Sequence, residues 1–264
     1  MKYIITIIIL TQLLNVQAQD GVVYYKFIDA IGTGNQNGET YNSYTMFSKN
    51  NSFFVVAKDS LERAQDKISG TKFFKNSDGS KNGISNGLVL TQQGQQVVCD
   101  YANKIMLSNV FDGKHTYVKE ILPKIEWKIT KQRKKIGKFN CILGQTNFRG
   151  RKYFAWYTPD IPVYSGPWKL NGLPGMILEA HDEGKYISWT FQKYQFPISV
   201  AQNYTIRKEK KGKEIKFLNL DEFKIYCKDD IQRGYEKLLI MAKEHPGMQP
   251  IKEPMTSYYL EGFE

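Results

Sequence analysis

The sequence predicts a mainly β protein, in which an antiparallel sheet is followed by one C-terminal helix. Apolar and β-branched runs recur from residue 22 to residue 218, and short turns rich in Gly, Asn and Asp separate them. No repeated helical pattern lies between these runs. Strands joined by short turns pair antiparallel, whereas a parallel sheet would need crossover helices.

Periodicity and turn residues place the individual elements along the chain. Residues 60–68 have a short helical spacing, and residues 72–86 are predicted to be an exposed loop because they are polar and rich in Gly, Asn and Ser. A turn at 210–213 is expected to join the last two strands into a hairpin. The predicted strands are 22–28, 41–47, 52–58, 97–101, 104–111, 117–122, 125–129, 138–146, 151–157, 176–180, 186–194, 204–209 and 214–218.

Helical spacing of apolar residues appears at the C-terminal end of the chain. We expect Asp221 to cap a helix that runs from Glu222 to about Lys243 and that stops at Pro246. The tail to Glu264 contains further prolines and is expected to be a loosely held extension. The predicted organisation is therefore an antiparallel β domain at 19–220, followed by a C-terminal helix and extended tail at 221–264.

The N-terminus has the pattern of a secretion signal. Lys2 precedes an apolar run from Ile4 to Leu14, which is too short to span a bilayer comfortably, and small residues at Val16 and Ala18 fit signal peptidase cleavage. We predict a signal peptide at 1–18 and a soluble periplasmic or secreted protein. An uncleaved N-terminal anchor is the alternative. No later apolar run is long enough to cross a membrane.

Charge and cysteine content restrict the partners and the chemistry. The net charge of +11 and the pI of about 9.3 suit a partner such as an anionic membrane, lipopolysaccharide or acidic glycan, although a lysine-rich soluble surface has the same composition. Nucleic acid is not expected outside the cytoplasm. The three cysteines leave two readings open: a single disulfide, for example Cys99 to Cys141, or three buried thiols.

The most distinctive stretch runs from Trp156 to Glu179. Four prolines and several glycines fall between residues 159 and 175, so this segment cannot be a regular strand. Leu173 to Met176 has the residues of a type II turn, with glycine at the position that needs a positive φ. The segment is either a binding loop with Trp168 as an aromatic anchor or a chain crossing that needs tight turns.

The hexapeptide within this stretch resembles the motif that names the GLPGLI family of exported Bacteroidetes proteins, with methionine in place of the family's second leucine. Residues 135–141, 150–158 and 161–162 also look like family segments, and residues 44–54 are similar to its early hairpin. The resemblance thus covers most of the chain from Tyr24 to Phe196. Its motif residues are Gly166, Pro167, Gly172, Leu173, Pro174, Gly175, Met176 and Ile177.

The resemblance implies an exported envelope protein whose family has no settled activity. Family members look like partners of outer-membrane uptake systems, and the fold expected by analogy is a curved sheet or half-barrel like that of periplasmic lipoprotein carriers. We therefore expect a non-enzymatic binding or docking module that holds a small peptide, lipid or glycan, or docks on an outer-membrane transporter. The alternatives are a carrier of lipid or acyl chains and a hydrolase with an unrecognised site.

Strand 151–157 supplies the other candidate binding residues. Arg151 and Tyr153 share one face of this strand with Ala155 and Tyr157, while Trp156 lies on the opposite face with Lys152 and Phe154. Such an aromatic surface either binds a sugar or acyl chain or fills a core. The four predicted ligand- or partner-binding residues are therefore Trp168, Arg151, Tyr153 and Trp156.

The remaining signals for chemistry are weaker. His181 and Glu179 could act as a metal site or an acid–base pair, but the neighbouring residues 182–184 also read as an ordinary turn. No nucleophile elbow, phosphate loop or metal-ligand spacing is present, so no catalytic residue, metal or cofactor is predicted. Basic runs at 131–138 and 207–216 are either solvated turns or contacts to an anionic membrane or glycan.

Overall fold

The computed structural model describes residues 20–31, 38–56, 71–75, 81–85, 93–111, 114–198, 203–207, 214–244 and 260–263. The predicted signal peptide and the predicted helix at 60–68 lie outside these residues. The described strands are β1 Gly21–Asp29, β2 Glu39–Phe47, β3 Asn51–Val56, β4 Thr71–Lys75, β5 Lys81–Ser85, β6 Gln95–Asp100, β7 Ile105–Phe111, β8 His115–Ile121, β9 Lys128–Ile136, β10 Phe139–Phe148, β11 Arg151–Thr158, β12 Met176–Asp182, β13 Ile187–Gln195 and β14 Phe217–Leu218, and the helix is α1 Leu220–Glu244.

Twelve of these strands form one open sheet, in the order β14-β8-β7-β6-β3-β2-β1-β13-β12-β11-β10-β9. All its pairings are antiparallel except that of β14 with β8, which is parallel. Strands β4 and β5 pair separately with each other. The mainly β class with one C-terminal helix is therefore confirmed, and the parallel β14 makes the sheet mixed.

The sheet is strongly curved. Glu120 on β8 contacts Arg149 at the end of β10, although eight strands lie between β8 and β10 in the sheet. In a flat sheet with about 4.8 Å between neighbours, these strands would be roughly 43 Å apart. The contact therefore requires the sheet to bend until its two ends face each other, as in a half-barrel that stays open between β14 and β9.

Large side chains fill the concave, or inner, face of this sheet. Tyr25 on β1, Tyr153 on β11 and Trp189 on β13 are fully buried there, and the Phe27 and Trp189 rings stack with their centroids 5.2 Å apart. The segment that joins β11 to β12 packs into the same space. The inner face is thus a core shared between the sheet and this connection.

The first half of the sheet is also covered on its outer face. A second apolar cluster contains Val22, Tyr44, Phe53 and Val98, and Ile206 packs on it from the irregular segment 203–207. Two-sided burial explains why nearly every residue of β3 and β6 is buried, and not only every second one. It also means that exposed sheet surface is concentrated in the other half, at β9 to β13.

Helix α1 begins with a reciprocal cap supplied by Asn219. The Asn219 side chain accepts a hydrogen bond from the Glu222 amide at 2.9 Å, and the Glu222 carboxylate accepts one from the Asn219 amide at 2.7 Å. The prediction that Asp221 caps the helix is therefore wrong by two residues. Phe223 and Cys227 are the buried residues of α1, and they pack on Val110 and Val118 of β7 and β8.

Other local predictions are wrong as well. Residues 72–86 were expected as a loop but contain most of the β4–β5 pair. The basic run at 131–138 was expected as a turn, whereas most of it belongs to edge strand β9, whose residues are exposed on both faces and therefore show no apolar alternation. The hairpin expected from 204–209 and 214–218 does not form in the described residues, because 217–218 pair with β8 instead.

All three cysteines are buried free thiols, which agrees with the second of the two alternatives left open by the sequence. Burial raises the pKa of Cys99 to about 12 and that of Cys141 to about 11. None of the described helical residues forms a span apolar enough to cross a bilayer.

Candidate functional site

The segment from residue 159 to residue 175, which we call the plug, occupies the inside of the curved sheet. Backbone hydrogen bonds tie it to itself and to the start of β12: Gly172 donates to the Tyr164 carbonyl at 3.0 Å, and Ile177 donates to the Ser165 carbonyl at 2.9 Å. From the opposite side, the Thr45 hydroxyl of β2 donates to the Gly166 carbonyl at 3.0 Å. The plug therefore bridges the two halves of the sheet.

Two glycines of the plug are required by close packing. A Cβ at Gly175 would lie 2.1 Å from the Thr158 carbonyl oxygen, and a Cβ at Gly166 would lie 2.8 Å from the Ile177 side chain. Gly175 has the expected positive φ, but its value of +149° is far from the roughly +80° of a type II turn. The Gly175 amide instead bonds to the Leu173 carbonyl at 2.8 Å, so the predicted turn type is wrong.

Trp168 lies inside the core and not on the surface. Its side chain is 3% exposed, and its ring stacks on Trp189 at 6.3 Å and meets Phe148 edge-on at 5.8 Å. The backbone φ of +53° is unusual for a bulky residue and places the ring between the two walls of the sheet. Of the other motif residues, Leu173, Met176 and Ile177 are fully buried.

The three candidates on β11 are split between the two faces, as strand alternation predicts. Tyr153 is fully buried on the inner face, and Arg151 pairs with Asp182 at 3.4 Å. Trp156 is half-buried on the outer face, where the Lys134 ammonium lies 4.8 Å from its ring centroid. The structure therefore brings Tyr153 and Trp168 together inside the core, with ring centroids 6.1 Å apart, and leaves Trp156 on the opposite face.

The outer face of β9 to β12 mixes aromatic rings with paired charges. Lys134 contacts Glu179 beside Trp156, and Lys152 pairs with Glu183 at 2.6 Å while lying 5.3 Å from the Phe154 ring. The His181 ring stacks on Phe154 with centroids 5.3 Å apart. We call this surface, formed by Lys134, Lys152, Phe154, Trp156, Glu179 and His181, the outer patch.

The structure does not pair His181 with Glu179. Nδ1 of His181 lies 2.8 Å from the Asp182 carbonyl oxygen, and Glu179 is occupied by Lys134. Within the described part of the chain, no group of three or more His, Cys, Asp or Glu side chains is placed to hold a metal ion.

Strand β9 forms a basic edge next to the outer patch. It is the last strand of the sheet, and its cationic side chains are exposed. Irregular pairing opposite Ile142 to Gly144 interrupts the strand, and the Arg133 guanidinium donates to the carbonyl oxygens of Thr130 and Gln132, both at 3.0 Å. The cationic residues of this edge are Lys128, Lys131, Arg133, Lys134, Lys135 and, in the following turn, Lys138.

The sequence analysis missed a buried cluster of four charges, which we call the charge cluster: Glu120, Arg149, Lys169 and Glu261. Lys169 lies 2.8 Å from Glu120 and 2.5 Å from Glu261, and Arg149 contacts both carboxylates. All four side chains are at most 9% exposed. The only sequence signal was that Lys169 directly follows Trp168 in the plug. No sequence pattern linked it to Glu120, 49 positions earlier, or to Glu261, 92 positions later.

The charge cluster keeps Lys169 protonated. Burial by itself would lower the pKa of this ammonium, but the carboxylates of Glu261 and Glu120 outweigh burial, so the pKa is raised above its ordinary value. Aromatic rings complete the surroundings: Lys169 lies 5.9 Å from the Phe223 ring, and Arg149 lies 5.2 Å from the Phe263 ring.

A shallow groove lies outside the charge cluster, between β8 and the start of α1. Its volume is about 370 Å³, and apolar atoms of Ile105, Ile121, Phe217 and Leu218 form much of its wall. Ile121 is 82% exposed beside it. The groove is open to solvent, and Glu120 of the charge cluster is among its lining residues.

Comparisons with known proteins agree with the fold and leave the activity open. The model of a protein family described as "Protein of unknown function (Porph_ging)" matches residues 144–179, from the middle of β10 to β12. This range contains the plug, Arg149 and Lys169. No curated protein matches the sequence at a significant level.

The solved structures of PNGF-II in two crystal forms share the fold. Each superposes with a TM-score of 0.51 at 17% identity over 79% of this chain. The chain spans about a third of PNGF-II, 33% in one crystal form and 32% in the other. The likeness shows a common β-rich architecture, and the family model of unknown function matches only the region around this chain's plug.

Proposed function

We propose that this chain is an exported, non-enzymatic docking module that holds an acidic protein of the cell envelope against β9 and the outer patch. One observation carries the proposal: the inner face of the curved sheet is filled by the chain's own plug, while the exposed edge beside Trp156 is strongly basic. The free surface for a partner is therefore outside the half-barrel.

The filled interior favours docking over carriage of an acyl chain. A carrier needs an apolar cavity that encloses most of its ligand, commonly 300–1,000 Å³ in volume. Trp168, Leu170 and Leu173 occupy the corresponding space here with 3% exposure or less. The open groove beside α1 covers only one side of a ligand and contains Lys119 and Glu222 in its wall.

The composition of the outer patch favours a protein partner over a lipid surface. Anionic membranes attract clusters of Lys and Arg alone. The outer patch instead combines Trp156 and Phe154 with both signs of charge, such as Lys134 beside Glu179. Aromatic residues such as these are enriched in protein interfaces, and complementary charge raises the rate of encounter.

The contacts are expected to be made by side chains and not by strand addition. An edge strand can accept a further strand only if its backbone groups are regular and free. In β9 the pairing irregularity and the Arg133 side chain, which bonds two carbonyl oxygens, block this edge. The cationic side chains remain available on a rigid support.

Export and family membership are parts of the same proposal. The apolar leader supports export, and the motif at 172–177 within the matched range supports placement in the GLPGLI family of Bacteroidetes proteins, whose members look like partners of outer-membrane uptake systems. Mass spectrometry of the protein purified from its native cells tests export, because cleavage after Ala18 gives a chain that begins at Gln19. An intact Met1 would contradict it.

Site-specific photocrosslinking in native cells tests the docking proposal. We expect a crosslinker at Phe154 in the outer patch to yield a discrete crosslinked envelope protein, and a crosslinker at Gln232 on α1 to yield none. The variant K131Q/R133Q/K135Q should reduce the adduct about tenfold, since three interfacial charges contribute a few tenths to 1 kcal/mol each. The matched variant K228Q/K237Q/K243Q removes the same charge from exposed positions of α1 and should leave the adduct unchanged.

Two outcomes would contradict the proposal. Equal crosslinking at positions 154 and 232, or equal loss in both charge variants, would show that net charge and not the β9 surface is recognised. Binding of the purified protein to phosphatidylglycerol vesicles that requires the β9 lysines, without a protein adduct, would make a membrane the partner. The free energy of unfolding of both variants should stay within about 0.5 kcal/mol of the parent, which excludes misfolding as the cause.

A further inference from the structure

The charge cluster is supplied by four separate parts of the chain. Glu120 lies on β8, Arg149 in the turn after β10, Lys169 in the plug, and Glu261 in the C-terminal segment 260–263, which we call the latch. The sheet and plug alone thus contribute two cations and one anion. Without the latch they would leave a buried positive charge without its counterion, which is costly in a protein interior.

The latch fits this site through three successive residues. Leu260 is 1% exposed and joins the main core, Glu261 provides the carboxylate, and Phe263 packs edge-on against Phe223 at 5.9 Å and under the Arg149 guanidinium. Gly262 is required between them, because a Cβ there would lie 3.0 Å from both the Arg149 carbonyl oxygen and the Gly150 Cα. The site therefore selects the pattern apolar, acidic, glycine, aromatic.

The latch is held by both backbone and side chains. Glu261 forms a β-bridge, and the Gly262 amide donates a hydrogen bond to the Arg149 carbonyl at 2.9 Å. The Glu261 carboxylate lies 2.5 Å from the Lys169 ammonium and 3.2 Å from Arg149 Nε. The site is thus selective for a carboxylate.

We propose that Arg149 and Lys169 form a receptor site for a Leu-Glu-Gly-Phe-like segment of a partner protein, and that the chain's own latch fills this site as an exchangeable internal ligand. The proposal rests on the docking function, since a partner held at β9 presents its segment at high effective concentration and can then compete with the tethered latch. The carboxylate of the incoming segment replaces that of Glu261 between Lys169 and Arg149, so the charge balance of the cluster is kept.

A peptide with the sequence of residues 258–264, Tyr-Tyr-Leu-Glu-Gly-Phe-Glu, tests the site directly. We expect the fluorescently labelled peptide to bind the full-length variant E261Q/F263A at least tenfold more tightly than the parent protein in fluorescence anisotropy, because the variant's own latch competes poorly. Peptides with Gln for the first Glu, or Ala for Gly, should lose this binding. Adding Arg149→Met to the variant should also abolish it.

The controls separate this proposal from the docking function. The variant K131Q/R133Q/K135Q in the E261Q/F263A background should bind the peptide unchanged, because the peptide needs the charge cluster and not β9. If E261Q/F263A does not fold, as judged by its thermal transition, the milder Gly262→Ala variant replaces it and should also gain peptide affinity. A folded latch variant that binds the peptide no better than the parent would overturn the receptor site. A parent protein that forms dimers which the peptide dissociates would overturn a partner protein as the occupant, in favour of a second copy.

Discussion

The charge cluster and strand β9 use the same types of residue in opposite settings. In the charge cluster, Lys169 is 2% exposed and lies between two carboxylates, so its charge is buried and fully paired. On β9, Lys134 is 38% exposed and has one carboxylate neighbour, Glu179. Buried charges cannot be left unpaired, whereas exposed ones are solvated with or without a partner. The charges of the first set must therefore always be paired, by the latch or by a segment that replaces it, whereas those of the second can change partners at little cost.

Removing the charge of each lysine gives the largest expected effect and the most direct test of this contrast. Lys169→Met should destabilise the protein by about 3–5 kcal/mol, since it leaves two buried carboxylates with only Arg149 as a counterion. Lys134→Met should cost less than about 1 kcal/mol, since its Glu179 partner stays partly solvated. Urea unfolding of the two variants measures the difference. Equal losses would mean that burial does not distinguish the two regions.

Glycine substitutions sharpen the same comparison without changing charge. Gly175→Ala, inside the plug, should destabilise the fold by about 3 kcal/mol, because the φ of +149° and the contact with the Thr158 carbonyl both oppose a Cβ. Gly234→Ala on the exposed part of α1 meets no atom within 4 Å and should stabilise the helix by up to about 1 kcal/mol. Thermal unfolding gives both values, and a plug that tolerates alanine would contradict the close packing described above.

The sequence predicted most of the regular parts of this fold, because the signals for strands and turns are local. Strands such as β1, β11 and β12 have hydrophobic patterns and short turns that are local properties of the chain. The β11 alternation also assigned Tyr153 and Trp156 to opposite faces, as the structure does. Edge strand β9 was misread because an exposed strand needs no apolar alternation, so its lysines resembled a turn.

The charge cluster could not be predicted because it depends on curvature. Glu120, Arg149 and Glu261 come together only after the sheet bends and the C-terminal latch returns to β10. Local sequence patterns do not predict such a contact between residues that are far apart in the chain. Trp168 illustrates the intermediate case: the prolines and glycines around it predicted an irregular crossing, but whether its ring faced solvent or core required the position of the plug relative to Trp189.

Two of the three buried thiols, those of Cys99 and Cys141, provide the smallest and most specific test of the two regions. Cys99 lies near Lys169 and Glu120, and Cys141 lies near Glu179 and Lys134. Burial raises the pKa of Cys99 to about 12 and that of Cys141 to about 11, from an ordinary value near 9. A raised pKa in the folded state means that the neutral thiol contributes stability below pH 9, and that this contribution is lost as the pH rises toward the folded value.

Between pH 9 and pH 10 each thiol should therefore lower the free energy of unfolding by up to about 1.4 kcal/mol per pH unit, because the unfolded chain releases a proton that the folded chain keeps. We expect Cys99→Ala or Cys141→Ala each to reduce the alkaline slope by the share of its own thiol, while buried tyrosines such as Tyr25 and Tyr153, whose pKa is also raised by burial, keep contributing. Urea unfolding at closely spaced pH values measures the slopes. A variant with the same slope as the parent protein would show that its thiol ionises as readily in the folded state as in the unfolded chain, which would contradict the burial of that thiol.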